Sequence, residues 1–536
     1  MEINRTVTTA APIPSSDSGL QTGRGSLRSA VWLAGGFALF TLALNIVSSL
    51  YGSRLGYGFF RDELYFLVCG RHLDWGYVDQ PPLVALQARI AETLFGLTPT
   101  GIRILSFAAG AVKVGLTGLL AWQLGGRRRA QALAMMAALA APVFLVIDNY
   151  LSMNSWEPCF WMGCLLVLLR IAEGSLSQRW WLLFGLLAGL GIENKDSTVF
   201  FLVALVLGLL ATPQRKLLWS GWVAAAIGVI FLVSLPNFWW QWQHHWPTYE
   251  LLNNVAHSDK NTKLPPLPFL LQQANMLLIF SAPLWIGGLV WLAFAKHAKA
   301  WRFVAVTYVI LLAMMMAMHA KDYYLAPMYP VLFAAGGVWF VQVTRPNRWR
   351  WPAYAYAAVL AVFLVVATIP IGLTVLAPQD YNAWAAHFGA NKTRTEKFSS
   401  PLPQFLSDRF GWEEMAQGFA ARYNALPPEE RAKTGIFCGN YGEASAVNVF
   451  GPKYGLPVAI SGHQNYFYWG WHGYTGESML TVGNDRKDYL DNYEEVIDLG
   501  AFDAPWIMDH EHHHYFLLKH RKKTYEQEWA DFKYWY

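Results

Sequence analysis

Apolar stretches of membrane-spanning length recur along this chain between Ala30 and Ala377. A helix needs roughly 20 apolar residues to cross a hydrocarbon core about 30 Å thick. Lipid offers the backbone no hydrogen bonds, so each stretch must satisfy its own amide groups as a helix. Only 14% of the 536 residues are charged, whereas soluble proteins carry about a quarter. We therefore predict a polytopic α-helical membrane protein with about eleven transmembrane helices.

The chain divides into three predicted parts: a disordered tail over residues 1–29, a membrane domain over 30–377 and a soluble α/β domain over 378–536. Cationic residues collect in every second loop of the membrane domain. Because cytoplasmic loops are rich in Lys and Arg, this pattern predicts a multi-pass inner-membrane protein with a cytoplasmic N-terminus and an extracytoplasmic C-terminal domain. The cationic positions are Arg127–Arg129, Arg170 with Arg179, Arg215–Lys216, Lys296 with Lys299, and Arg345, Arg348 and Arg350.

The C-terminal domain has the strand and helix signals of a small α/β sheet. The predicted strands are 436–438, 458–460, 478–482 and 515–518, with a helix over 442–454. The cluster Asp509–His514 is predicted to be a polar loop or strand edge, because strand alternation would split its side chains between two faces. Metal binding there is the less favoured alternative. The scattered cysteines and the dispersed net charge of +5 indicate neither a redox motif nor a nucleic-acid surface.

Two of the apolar stretches, 180–192 and 197–211, are individually short for a bilayer core. Together they are too long for one helix, so we predict a hairpin whose polar tip is Glu193–Ser197. Lys113 lies in the middle of another stretch. It either lines a wet cavity or extends its side chain to an interface, and the sequence leaves both open.

Adjacent carboxylates, Asp62 and Glu63, follow the first apolar stretch directly. Charges at the edge of a membrane helix are costly unless a water-filled pocket uses them. The predicted outer loops collect further polar groups, and this set suits transfer of a group from a phosphorylated lipid. Cations would hold the leaving phosphate while a carboxylate takes the proton of the acceptor. The set comprises Arg61, Asp62, Glu63, Asp79, Gln80, Asn154, Glu157, Lys195, His244, His245, Lys321, Tyr323 and Tyr324.

These loops hold five motifs that, in this order, resemble glycosyltransferase family 39. That family includes protein O-mannosyltransferases and the bacterial transferase that adds aminoarabinose to lipid A. The resemblance extends over the whole membrane domain. The motifs are Arg61–Phe66 with Tyr77–Leu83, Tyr150–Asn154 with Trp156–Pro158, Gly191–Lys195, Pro236–Trp240 with His244–Pro247, and Lys321–Pro330.

The resemblance implies the membrane glycosyltransferase fold called type C and a polyprenyl-phosphate sugar as the donor. It matches Asp62 to the catalytic aspartate of the family, with Glu63 beside it. A carboxylate there would deprotonate the acceptor as it attacks the anomeric carbon opposite the phosphate, which inverts the configuration. The structural alternative is that Asp62 and Glu63 only pair with Arg54, Arg61 or Arg71 as a loop clasp.

The chain departs from the family pattern at three positions that bear on the donor. The aminoarabinose transferase has a Glu-Lys pair whose lysine holds the donor phosphate, and Asp79 and Gln80 stand there in this chain. The resemblance therefore leaves Lys195 or Lys321 to supply the charge. Asn154 replaces an aspartate of many relatives, and Glu157, one helical turn on, is its substitute. These differences disfavour aminoarabinose as the sugar.

The paired tyrosines and the paired histidines each have two interpretations. Tyr323 and Tyr324 with Lys321 either hold a phosphate or form an interfacial aromatic belt. His244 and His245 either form interfacial hydrogen bonds or bind a divalent metal, for which Asp79, Glu157 and His245 are the ligand candidates. No cofactor is certain.

The predicted acceptor is a glycolipid, a cell-wall glycan or a protein outside the cytoplasm. A secondary transporter and a non-catalytic glycan-binding membrane protein are the alternative functions. Transporters usually show repeated halves and helices broken at mid-membrane. The sequence shows no such repeat and carries its acidic pair beside the first stretch.

Overall fold

The computed structural model describes residues 25–258, 264–344, 351–388 and 399–536. Most of the predicted tail, part of the loop before Pro265 and the cationic residues Arg345, Arg348 and Arg350 lie outside the described residues.

Up to residue 372 the regular secondary structure of the described chain is entirely helical. Several helices begin at residues that suit a helix start: the Thr98 side chain caps the backbone N–H of Gly101, and Pro99 follows as the first helical residue. The α-helices are α1 Leu27–Arg54, α2 Arg61–Arg71, α3 Leu83–Phe95, α4 Pro99–Gln123, α5 Arg128–Leu139, α6 Pro142–Asp148, α7 Met153–Ala172, α8 Trp181–Asn194, α9 Ser197–Leu210, α10 Gly221–Gln243, α11 Pro247–His257, α12 Pro266–Met276, α13 Ala282–Phe294, α14 Arg302–Ala317, α15 Tyr329–Thr344, α16 Trp351–Phe363 and α17 Ile369–Gly372.

Seven helical segments in the described ranges are long and apolar enough to cross a membrane, and the number is up to ten if each of three bent helix pairs counts as one span. This count, by length and composition, approaches the predicted number of about eleven spans. Helices α8 and α9 have 14 residues each and are individually shorter than a bilayer core requires. The count includes α9 in a bent pair with residues 213–219 but does not include α8. The two helices are separated by Lys195 and Asp196, at the predicted hairpin tip.

The membrane domain encloses one large apolar core to which α4, α5, α7, α14 and α15 all contribute. Lys113 of α4 lies inside the domain and is fully buried. Its Nζ atom is 2.7 Å from Oδ2 of Asp148, at the end of α6. A buried cation needs such a partner, because an unpaired charge in this environment is very costly. Lys113 therefore neither reaches an interface nor stands alone.

The C-terminal domain holds a five-stranded mixed sheet in the order β2-β1-β3-β5-β4. Its strands are β1 Thr434–Phe437, β2 Ala459–Ile460, β3 Ser478–Gly483, β4 Tyr493–Phe502 and β5 His513–Arg521. The four predicted strands are present, and β4 is an addition. The helices are α18 Pro378–His387, α19 Gln404–Ser407, α20 Trp412–Ala425, α21 Pro428–Arg431, α22 Tyr441–Phe450, α23 Tyr466–Trp469, α24 Lys487–Leu490 and α25 Tyr525–Glu528.

The two short helices α2 and α3 share an apolar core with the C-terminal domain. Leu64 and Phe66 of α2 join this core together with Trp412 and Phe419 of α20. The backbone also connects the two parts, because the Arg61 N–H donates to the carbonyl of Asp408 at 3.2 Å. The division into residues 1–29, 30–377 and 378–536 stays a prediction. These contacts fix α2, the helix that carries Asp62, against the C-terminal domain.

Candidate active site

Asp62 lies in the first turn of α2, and its nearest polar partner comes from the C-terminal domain. The Tyr441 hydroxyl donates a hydrogen bond of 2.7 Å to Asp62 Oδ1. Tyr441 is the first residue of α22, whose start is fixed because the Asn440 side chain accepts from the backbone N–H groups of Gly442 and Glu443. Burial raises the pKa of Asp62, whereas Tyr441, Arg61 and Lys321 lower it. Asp62 is thus a partly shielded carboxylate held by one hydroxyl.

Glu63 has a different environment, because both of its carboxylate oxygens are occupied by hydrogen bonds. Its side chain is fully buried and forms two 2.7 Å hydrogen bonds with the Arg103 guanidinium. It also accepts from the backbone N–H groups of Phe60 at 2.8 Å and Leu151 at 2.7 Å. This arrangement ties α2 to α4 and to the loop before α7. We assign Glu63 a structural role in place of the catalytic one that the resemblance implies.

The structural alternative, a clasp with nearby arginines, is not what the structure shows for Asp62. Arg61 instead pairs with Asp408 at 2.7 Å and Glu511 at 2.9 Å in the C-terminal domain, and Arg71 pairs with Glu92 at 2.6 Å. Asp62 therefore has no ion pair among the described residues, although the charge of Arg61 acts on it.

Lys195 is the centre of a second cluster, between α8 and α9. Its ammonium donates to Asn154 Oδ1 at 2.8 Å and to Glu157 Oε2 at 2.9 Å, and the Ser197 hydroxyl donates to the other oxygen of Glu157. The same ammonium lies 4.4 Å from the centroid of the Tyr324 ring. Asn154 and Glu157 meet Lys195 from the N-terminal end of α7, as their spacing of three residues allows. Tyr323 contacts this ammonium more distantly, at 5.6 Å.

Lys321 and Tyr150 both lie near Asp62, and Tyr150 also lies near Tyr323. Lys321 is exposed at the start of the turn that carries Tyr323 and Tyr324, and its charge lowers the pKa of Asp62. Burial raises the pKa of Tyr150, and Tyr323 and Asp62 raise it further. The phenol of Tyr150 therefore lies within electrostatic reach of both clusters. No carboxylate of the described residues pairs with Lys321.

Asp79 and Gln80 lie beside α2 rather than in the Lys195 cluster. The Tyr65 hydroxyl donates to Asp79 Oδ1 at 3.0 Å and accepts from the backbone N–H of Asn465 at 3.2 Å. Burial raises the pKa of Asp79 to about 7. The Gln80 amide is buried and lies 3.5 Å from the Cys69 sulfur. Gln80 is thus a packed residue without a charge to offer a phosphate.

The histidine pair lies at the end of α10. His244 stacks on Trp240 with ring centroids 4.0 Å apart, and His245 is exposed. Asp79, Glu157 and His245, the candidate metal ligands of one interpretation, are not among the groups whose spacing suits a metal. Within the described ranges, the group with suitable spacing for a metal is instead Glu443, Glu511 and His513. Its last two members come from the predicted polar cluster Asp509–His514.

Three partners of the site were not predicted from the sequence as site residues: Tyr441, Arg103 and Asp408. Each meets its partner over a long sequence separation, for example 379 residues between Asp62 and Tyr441. Their local sequences carry no signal for this pairing. The one available hint is that Asn440 precedes an apolar helical pattern, which indicates a helix start but not its target.

Part of the membrane domain matches a known family. Residues 79–240 match the family described as dolichyl-phosphate-mannose-protein mannosyltransferase. The predicted family resemblance is confirmed over that segment. It includes Asp79, Asn154, Glu157 and Lys195, whereas Asp62 and Lys321 lie outside it.

Two relatives of known identity extend the comparison. The lipid A galacturonosyltransferase RgtD of Rhizobium johnstonii is 27% identical over 241 residues, which are 42% of this chain and 48% of that protein. The chain thus matches about half the length of this curated relative. The crystal structure of ArnT from Cupriavidus metallidurans bound to undecaprenyl phosphate superposes with a TM-score of 0.58 at 15% identity, and 90% of this chain and 97% of that chain are covered. Its apo state gives 0.59. The predicted type C membrane fold is therefore confirmed, in a multi-pass membrane protein.

Proposed function

We propose that the protein is an inverting membrane glycosyltransferase that moves one sugar from a polyprenyl-phosphate carrier to an extracytoplasmic acceptor. The observation that carries the proposal is the environment of Asp62. Its Oδ1 accepts from Tyr441, and its Oδ2 has no hydrogen bond from the described residues. A carboxylate with one oxygen anchored and the other available has the form of a general base.

The proposed step is a single displacement. The acceptor hydroxyl transfers its proton to Asp62 as its oxygen bonds to the anomeric carbon. The bond between that carbon and the phosphate oxygen breaks, and its electron pair leaves with the polyprenyl phosphate. The leaving group is already an anion and needs no proton, so one carboxylate is sufficient and Glu63 is free to serve as a structural tie.

The donor phosphate would be held by Lys321 with Tyr323 and Tyr324. Lys195 is already compensated by Glu157 at 2.9 Å, whereas Lys321 has no carboxylate partner among the described residues and acts electrostatically on Asp62. A phosphate beside Lys321 would restore charge balance there. Lys195 would then orient the tyrosines through its contact with Tyr324.

The relatives support the substrate classes without fixing the sugar. RgtD is a lipid A galacturonosyltransferase, and ArnT was crystallised with undecaprenyl phosphate. We therefore rank a glycolipid first among the proposed acceptors, before a cell-wall glycan or a protein. The N-terminus would be cytoplasmic and the C-terminal domain extracytoplasmic, as the loop charges predict.

Purified full-length protein in liposomes tests this function. Radiolabelled polyprenyl-phosphate sugars are supplied with lipid A as acceptor, and labelled product and its anomeric configuration are measured. Wild type and the control Asp485→Asn, an exposed residue, should yield inverted product, and Asp62→Asn should form it at least about 100-fold more slowly. Uptake of labelled solute by wild type without transfer would support a transporter. Binding of glycan without turnover would support a non-catalytic receptor.

A further inference from the structure

A compact group of donor atoms lies at the seam between α2 and the C-terminal domain. His513 Nε2 is 3.3 Å from Glu443 Oε1 and 3.5 Å from Glu511 Oε2. The exposed fractions of the three residues are 8%, 3% and 3% for His513, Glu443 and Glu511. They come from β5, α22 and the turn before β5. The fold therefore brings together one imidazole and two carboxylates from separate elements.

Hydrogen bonds of normal geometry do not explain why His513 Nε2 lies so close to the two carboxylates. The Nε2 atom of His513 is buried and has no partner of hydrogen-bonding geometry in the described part of the chain. Its other ring nitrogen, Nδ1, is 2.8 Å from Asn484 Oδ1. An amide oxygen only accepts, so Nδ1 carries a proton, and in the neutral ring the Nε2 lone pair points toward the carboxylates.

Three electron-rich atoms this close repel one another unless a positive charge lies among them. A proton on Nε2 and a metal ion are therefore the two possible sources of that charge. The spacing of the atoms and the charge of their surroundings favour the metal ion.

The spacing matches the edge of a coordination tetrahedron. Zinc binds imidazole nitrogen and carboxylate oxygen at about 2.0–2.2 Å, which separates tetrahedral ligands by about 3.3–3.6 Å. The separations of 3.3 and 3.5 Å fall in this range. One imidazole with two carboxylates is a donor set for zinc, whereas calcium and magnesium prefer oxygen ligands alone.

The surroundings also resemble those of a metal site, in which ligands are oriented by further hydrogen bonds. Glu443 Oε2 accepts from the backbone N–H of Gly439 at 2.9 Å, and Arg61 lies 2.9 Å from Glu511 Oε1. Arg61 also pairs with Asp408. One guanidinium against the three carboxylates Asp408, Glu443 and Glu511 leaves two negative charges when the histidines are neutral. His510, whose Nε2 is 3.2 Å from Glu511 Oε1, adds a positive charge only if it is protonated. One divalent cation neutralises both charges, whereas a proton on His513 neutralises only one of them.

We propose that Glu443, Glu511 and His513 bind one zinc-class divalent cation, with a fourth position open to water. The ion would fasten α22 to the segment before β5 and, through Glu511, to Arg61. Helix α22 begins with Tyr441, which donates to Asp62. The same ion would therefore hold Tyr441 in place against the Asp62 carboxylate. Only this last consequence rests on the proposed function.

Metal binding is measured on the full-length protein in detergent after chelator treatment and dialysis. Zinc alone is titrated calorimetrically, and the zinc content of the dialysed complex is determined. Wild type should retain one zinc per chain, and His513→Ala should bind at least about 100-fold more weakly. The matched controls are His512→Ala, which is exposed, and His514→Ala, which is half-buried, and both should bind as wild type does. Cobalt in place of zinc should give the absorption of a tetrahedral complex.

A second variant separates loss of the site from loss of folding. Asn484→Ala leaves all three ligands in place but removes the acceptor of His513 Nδ1, so it should weaken binding about 10- to 100-fold. No zinc in folded wild type, or zinc lost in the control variants instead of His513→Ala, would overturn the proposal. In Asp62→Asn the zinc should remain while transfer is lost, so failure of the metal site and failure of the proposed reaction are distinguishable.

Discussion

Replacing Tyr441 with Phe removes one hydroxyl and leaves the packing of the ring intact. That hydroxyl donates to Asp62 Oδ1 at 2.7 Å, and the ring lies 4.8 Å from that of Tyr65. Fold and donor binding should therefore be retained. The variant isolates the contact between the C-terminal domain and the proposed base.

The size of the effect follows from the charge of the acceptor. A hydrogen bond to a charged group contributes about 1.5–3 kcal/mol, and it stabilises the ionised form of Asp62. Its loss raises the pKa of Asp62, so the base is protonated at higher pH than in wild type. Since about 1.4 kcal/mol is a factor of ten, transfer on the acidic side of the profile should fall about 10- to 100-fold. At alkaline pH, where Asp62 is ionised in both proteins, the rates should converge.

The assay is the pH profile of kcat/KM for sugar transfer. Tyr454→Phe is the matched control, because its hydroxyl also donates to a carboxylate, Glu413 at 3.2 Å, away from Asp62. The control should follow the wild-type profile. An acidic limb of Tyr441→Phe that superposes on that of wild type, or a rate lowered equally at every pH, would refute this account of the contact.

Two further changes test other parts of the site. Lys321→Met should raise KM for the polyprenyl-phosphate donor about tenfold or more, because a charge-assisted contact with phosphate is lost; an unchanged KM in steady-state kinetics would assign the phosphate to Lys195 instead. Arg103→Met should destabilise the protein by about 3–5 kcal/mol, because it leaves the fully buried Glu63 carboxylate unpaired. Thermal unfolding in detergent measures this, and a melting temperature equal to that of wild type would contradict the structural role given to Glu63.

The sequence predicted the membrane class and most of the sheet because these depend on local composition and periodicity. Strand β4 was missed for a local reason. Its register against β5 shifts between Asp498 and Ala501, and Gly500 there has a φ of 94°. The bulge breaks the alternation by which a strand is identified. β4 is also an edge strand. Edge strands often carry exposed charged residues, and these make the apolar alternation of a strand harder to recognise.

The polar residues of the site were predictable as a set, but their pairing was not. Motif order indicated Asp62, Asn154, Glu157 and Lys195, and the structure joins the last three in one cluster. Asp62 and Glu63 are adjacent in sequence, yet Asp62 accepts a hydrogen bond from Tyr441 whereas Glu63 is paired with Arg103. This difference arises from packing between distant segments, which periodicity does not record.

The cluster Asp509–His514 was predictable only in part. Strand alternation predicted that its side chains divide between two faces, and indeed Glu511 and His513 are buried while His512 is exposed and His514 half-buried. The sequence did not indicate that the buried pair meets Glu443, which lies on α22. Only the fold supplies that third group.

The base role of Asp62 is tested most directly by the single-turnover rate of sugar transfer in Asp62→Asn, measured with donor binding in the same sample. We predict a rate about 10²- to 10⁴-fold below wild type, the range that a positioned base contributes, with donor affinity unchanged. A wild-type rate in this variant would show that the proton is taken elsewhere and would contradict the proposed reaction.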